Sequence, residues 1–179
     1  MQNLTVFGAG LSTSVLIDYL LGQAESQDWK IRVGDRDLES AMAKIKGHSR
    51  GEAFEFDVSN EFQRLEEISK ADLVISMLPA NLHVEVAREC IGLKKHMVTA
   101  SYVSKEMQDL NEDAVQAGVI LMNELGVDPG IDHMSAMKVI DGIRDKGGKL
   151  LLFESFTGGL VAPESDDNLW NYKFTWNPR

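Results

Sequence analysis

Apolar and polar positions along this chain switch repeatedly between a period near two and a period near 3.6, the alternation that separates strands from helices. The first switch falls at Met1 to Ser14, MQNLTVFGAGLSTS, where the apolar run Leu4 to Phe7 breaks into glycines and enters a helical pattern. Leu16, Ile17, Leu20 and Leu21 share one face of that helix, and Gly22 is expected to end it. Further strand signals cover 30–34, 53–58, 71–79, 96–100 and 119–122, with helix signals at 38–46, 61–69, 84–91 and 105–117 between them. Six strand and five helix signals in strict alternation predict an α/β fold with a doubly wound parallel sheet. The stretch ADLVISMLP, apolar almost throughout and stopped by Pro79, reads as its buried fourth strand.

Beyond the sixth strand the pattern changes. NELGVDPGIDHM, over 123–134, reads as a loop with little freedom of shape, followed by a helix over 135–144 with Ala136, Val139, Ile140 and Ile143 facing inward. A strand is expected over 150–156, and the aromatic residues Trp170, Tyr172, Phe174 and Trp176 cluster near the end. The expected division is residues 1–130 as one domain and 131–179 as the beginning of a second, α+β domain, so that the chain reads as a piece of a longer protein.

A strand that turns sharply into a helix aims free backbone N–H groups and the positive end of the helix dipole at whatever lies above the turn, which suits a phosphate. Gly8 and Gly10 match the first two glycines of the dinucleotide fingerprint; the third small position falls on Thr13, which is expected to crowd the helix against the strand. Asp35 lies about 20 residues on, at the end of the second strand, where a carboxylate accepts the ribose 2′-OH of NAD. Its alternative is a turn aspartate, and Asp37 suits the cap of the helix that follows. Asp57, at the end of the third strand, lies where such folds meet the adenine.

The formal net charge of -10, without a Lys/Arg cluster, argues against nucleic acid as a partner, while an anionic cofactor held by backbone amides stays compatible with it. With 44% apolar residues, 26% charged residues, a single Cys90 and no apolar run near the length of a membrane span, the expectation is a cytoplasmic protein without membrane association. No pair of histidines has metal-ligand spacing, so no metal is expected. Asp128 is a substrate-site candidate or an ordinary turn former before Pro129. Tyr102 is a crevice residue or a buried aromatic. His133 is a candidate general acid or a helix-start residue. His83 and His96 read as loop and strand-start residues, Lys94 and Lys95 as a solvated helix end, and Met134 and Met137 as packing.

Three stretches carry a family resemblance: ASYVS at 100–104, NELGVDPGIDHMSAMK at 123–138, and ESFTGGLVAPESDDNLWNYKFTWNPR at 154–179. They strongly resemble saccharopine reductase, the glutamate-forming branch of the saccharopine dehydrogenase family. The resemblance implies an NAD(P)-binding Rossmann domain over 1–130 and a substrate and dimerisation domain beginning at 131, with a homodimer in the full-length protein. It implies an oxidoreductase of lysine metabolism that interconverts saccharopine with 2-aminoadipate semialdehyde and glutamate by hydride transfer at an imine carbon.

Carried over by resemblance, the cofactor contacts are Gly8, Ala9, Gly10, Leu11 and Ser12 at the pyrophosphate, Asp35 and Arg36 at the ribose, and Asp57 and Val58 at the adenine. Leu78, Ala100, Ser101, Val127, Asp128, Pro129 and Thr175 complete the set, and the substrate contacts are Ser101, Tyr102 and Asp128. The chain departs from the family in two places. Asp35, Arg36 and Asp37 stand where NADP-using members have Cys-Arg-Thr, which tilts the expectation to NAD. Thr157 replaces the cysteine usual before the Gly-Gly-Leu turn. The alternatives are a sibling enzyme acting on another amino-acid imine, such as carboxynorspermidine, and a dinucleotide-binding module without turnover, the state expected of the 179 residues alone.

Overall fold

In a computed structural model, which describes residues 1–156, 158 and 161–173, the expected sheet forms with all strands parallel in the order β3-β2-β1-β4-β5-β6. The strands are β1 (Gln2–Phe7), β2 (Trp29–Asp35), β3 (Gly51–Glu55), β4 (Leu73–Ser76), β5 (His96–Thr99) and β6 (Leu121–Met122). The helices are α1 (Ser14–Gln23), α2 (Leu38–Ile45), α3 (Glu61–Ser69), α4 (His83–Gly92), α5 (Lys105–Gln108), α6 (Asn111–Ala117) and α7 (Ile131–Arg144). The chain divides into two units, Met1–Met137 and Lys138–Arg179.

The period of two along β1 supplies both faces of the sheet. Leu4 and Val6 pack with Ile17, Leu20 and Leu21 of α1 and with Ala41 and Ile45 of α2. Phe7 points to the other face, among Ile68 of α3 and Val86 and Cys90 of α4, and stacks on Phe56 with ring centroids 4.1 Å apart. A central strand has no solvent side, and Leu4 to Phe7 of β1 are all buried, Thr5 among them. Asp37 caps α2 by accepting from the Glu39 N–H, and Asn60 caps α3 by accepting from the Gln63 N–H.

The differences from expectation have physical causes. Although its sequence is charged, α3 buries Arg64 and Glu67, and the Arg64 guanidinium holds Glu89 of α4 at 2.7 Å. Gly22 lies within α1 rather than ending it, and the helix expected over 105–117 is two, α5 and α6. No strand forms over 150–156, since a strand exists only in a ladder and these residues pair with none of the described residues. Leu151, Leu152 and Phe156 are all exposed. No residue of α7 is fully buried, and Met134, Met137 and Val139 are exposed rather than packed inward. In the second unit, outside α7, one short 3-10 turn, Pro163–Ser165, is formed among the described residues. No helix of the described residues is long and apolar enough to cross a membrane.

Candidate functional site

Because every strand runs the same way, the segments that follow them lie along one edge of the sheet, and the site residues expected from the sequence, Thr175 apart, lie at strand ends or in the segments that follow them. At the end of β1 the two fingerprint glycines do different work. Gly8 has φ +105°, and a Cβ there would lie 2.7 Å from the Met77 carbonyl oxygen, so the fold itself demands glycine. Gly10 has φ -64° and ψ 179°, a conformation open to any residue, and nothing lies within 4 Å of where its Cβ would be. Neither conformation nor internal packing asks for glycine at that position. Moreover, among the described residues the N–H groups of Gly10, Leu11 and Ser12 find no acceptor. An exposed glycine with free amides at the head of α1 is a cradle for an anionic group approaching from outside. Thr13 is fully buried, and its hydroxyl donates to the Gly10 carbonyl at 2.7 Å, tying the turn together.

Next along the edge, the ends of β2, β3 and β4 enclose a cleft of about 250 Å³ lined by Asp35, Arg36, Phe56, Val58, Leu78, Pro79 and Leu82. Its apolar walls and polar rim suit a flat base with its ribose. Asp35, expected to read the ribose, is engaged inside the protein: one carboxylate oxygen accepts from the Ala9 N–H at 2.6 Å and the other from the Asp37 N–H at 2.9 Å. Arg36 is exposed and reaches Asp57 at 3.3 Å. Hydrogen bonds from the Ser59 hydroxyl and then its N–H hold Asp57 below the usual carboxylate range, with Arg36 adding to the effect. Asp57 therefore braces the rim and is absent from the cleft lining, whereas Val58 and Leu78 line it.

On the other side, Ala100, Ser101 and Tyr102 follow β5, and the loop after β6 is tied to them. Glu124 N–H donates to the Ser101 carbonyl at 3.0 Å, and the Glu124 carboxylate accepts from Val103 N–H at 3.2 Å. Gly130, at φ +149°, packs so closely on Gly126 that a Cβ would lie 2.2 Å from the Gly126 carbonyl oxygen. This tight loop presents Val127 and Asp128 to solvent while Pro129 is buried. Asp132 and His133 pair at 2.8 Å, which raises the histidine pKa and lowers that of the aspartate. Potential ligand atoms of Asp128, Asp132 and His133 lie within 4.8 Å of one another, in a largely exposed cluster that the ion pair itself accounts for. Thr175, and with it Thr157, Phe174 and Trp176, lies outside the described residues.

One group contradicts its reading as a loop residue. His83 opens α4 and is buried, 3% exposed, with Nδ1 2.8 Å from Ser76 Oγ and Nε2 2.8 Å from Ser101 Oγ. Burial pushes its pKa down to about 4, so the ring is neutral at ordinary pH. The signal was in the sequence: His83, Val86, Ala87 and Cys90 follow the i, i+3, i+4, i+7 spacing of a buried helical stripe, one position away from the stripe through Val84 and Ile91. Phe56, Pro79 and Leu82 are the other lining residues that sequence reasoning did not single out.

Fold and edge together define a doubly wound dinucleotide-binding domain carrying a further C-terminal segment. Comparison with known proteins sharpens this: the saccharopine dehydrogenase NADP binding domain matches residues 4–122 and the saccharopine dehydrogenase C-terminal domain matches 126–179, and the chain belongs to the saccharopine dehydrogenase family. It is 40% identical to the saccharopine dehydrogenase (NADP(+), L-glutamate-forming) of Pyricularia oryzae over 99% of this chain and 39% of that one. It is 46% identical to the alpha-aminoadipic semialdehyde synthase of Arabidopsis thaliana over 86% of this chain and 14% of that one. The apo saccharopine dehydrogenase (L-Glu forming) of Saccharomyces cerevisiae superposes with a TM-score of 0.81 at 38% identity, covering 98% of this chain and 39% of that chain. This chain thus spans about two fifths of the fungal enzymes it matches. A nicotinamide dinucleotide is the cofactor class these matches support. The NADP in the names of the binding-domain family and the fungal relatives weighs against the tilt to NAD.

Proposed function

We propose that this chain supplies the nicotinamide dinucleotide site of an oxidoreductase that interconverts saccharopine with 2-aminoadipate semialdehyde and glutamate. The observation that carries the reading is Gly10, a glycine that the fold does not require, exposed beside three unengaged amides. When bound, the dinucleotide supplies hydride transfer. The residues of this chain bind and orient. Gly10 to Ser12 receive the pyrophosphate at the helix dipole, the cleft of Phe56, Val58, Leu78 and Pro79 takes the adenine, and Ser101, Tyr102 and Asp128 face the reacting end. Turnover is proposed for the protein at its relatives' length, and binding alone for the 179 residues.

NADP is the favoured dinucleotide. Both Asp35 oxygens are engaged by backbone N–H groups, and the exposed Arg36 can turn from Asp57 to a 2′-phosphate. NAD is the second reading, supported by the negative charge that Asp35 keeps beside the 2′ position. Fluorescence titration of the 179-residue chain with NADPH and NADH tests both. Saturable binding, tighter for NADPH, is expected; tighter NADH binding favours the second reading, and no binding of either overturns the function. For the longer protein, saccharopine-dependent reduction of NADP is expected, and turnover of a carboxynorspermidine-type imine alone overturns the substrate.

A further inference from the structure

His83 belongs to none of the contacts described for the cofactor or substrate, yet it is the buried link between the ends of β4 and β5. Its neutral ring has one N–H and one lone pair, so its two strong hydrogen bonds must differ in direction. Ser76 Oγ is fully buried, and the ring is its only hydrogen-bond partner among the described residues. If Nδ1 carried the proton and donated to Ser76, the serine's own hydroxyl proton would be buried without an acceptor, which is costly. The other arrangement satisfies Ser76 and leaves only the Thr99 hydroxyl proton without an acceptor among the described residues, at the 3.3 Å contact that is the weaker of the three made by the ring. Ser76 donates to Nδ1, and Nε2–H donates to Ser101 Oγ, with Thr99 Oγ1 at 3.3 Å as a weaker neighbour of Nε2. Ser101 then accepts from the ring and keeps its own proton for a group outside.

That outside group follows from the strand order. The cleft at β2 and β3 takes the adenine, the β1 turn takes the pyrophosphate, and an extended dinucleotide continues toward β4 and β5, where Ser101 lies. The geometry points to His83 as a positioning residue whose Nε2–H tautomer fixes the Ser101 hydroxyl as a hydrogen-bond donor to an acceptor oxygen on the nicotinamide half of the bound dinucleotide. It rests on the dinucleotide reading above, and the comparison of ligands below separates the two.

Two ligands are titrated into the chain and its variants: NADPH, and 2′-phospho-ADP-ribose, which has the adenosine and diphosphate but no nicotinamide. His83→Asn places an amide near Nδ1, keeping the link to Ser76 and losing Ser101. His83→Gln places one near Nε2 and keeps the link to Ser101. The expected result is about a fivefold weaker NADPH affinity for His83→Asn, with 2′-phospho-ADP-ribose unchanged and His83→Gln within about twofold of the parent. Ser101→Ala should show the same loss, and the double variant Ser101→Ala/His83→Asn no further loss. In nitrogen NMR of the parent chain, His83 should show a protonated Nε2 and an unprotonated Nδ1. An Nδ1–H tautomer, equal losses for both ligands in His83→Asn, or no loss for either overturns the inference while the dinucleotide reading stands. Failure of the parent to bind either ligand overturns both.

Discussion

At the β1–β3 half of the sheet edge the candidate binding groups are main-chain amides and the walls of a cleft, and the one carboxylate among the cleft's lining residues, Asp35, is tied back into the turn that it flanks. At the β4–β6 half the polar groups are side chains, Ser76, His83, Thr99 and Ser101, which hold one another. The first half is a shape imposed by the backbone; the second is a network in which each group's role depends on its partners. A backbone shape tolerates change wherever the side chain points outward, whereas a network fails through any member. Substitutions in the two halves should therefore separate stability from binding in different ways.

The largest effect belongs to Gly8→Ala. The positive φ and the overlap with the Met77 carbonyl should together lower unfolding free energy by about 3–4 kcal/mol in urea titration. A loss under about 1 kcal/mol would show the β1 turn to be softer than its backbone geometry. His83 comes next, through pH. Its folded pKa, about 4, lies below the ordinary value of 6.5, so the unfolded chain binds the extra proton in that interval. The stability that the neutral buried ring preserves is full above pH 6.5 and lost as pH falls toward 4, up to about 3 kcal/mol. Unfolding titrations at both ends of that window should show this component in the parent and not in His83→Gln. Third, Asp35→Ala removes the acceptor of two backbone N–H groups. It should cost about 2 kcal/mol and weaken NADPH and NADH to the same degree. A selective loss of NADH would return Asp35 to the role of ribose reader.

The same contrast explains what the sequence disclosed. The glycine turn, the strand ends and the cap at Asp37 were legible because glycine at a sharp turn and aspartate before a helix have local causes. Leu78 and Val58, named as cofactor contacts by resemblance, line the cleft because they follow strands that a parallel sheet must align. Asp35 was found but its partners were not, since nothing local states that the carboxylate folds back on Ala9. The burial of Arg64 and Glu67 has no local signal in the charged stretch 61–69. Only the packing of α3 against α4 makes Arg64 a buried partner of Glu89. The strand expected over 150–156 shows the converse, since apolar residues alone do not make a strand without a neighbour to pair with.

The most direct measurement pairs binding with stability in Gly10→Ala. Nothing surrounds the added methyl in the protein, so the urea unfolding curve should overlay that of the parent, while NADPH affinity falls by at least about tenfold because the methyl stands where the pyrophosphate approaches. Unchanged NADPH affinity in a fully folded Gly10→Ala chain would contradict the placement of the dinucleotide at this turn.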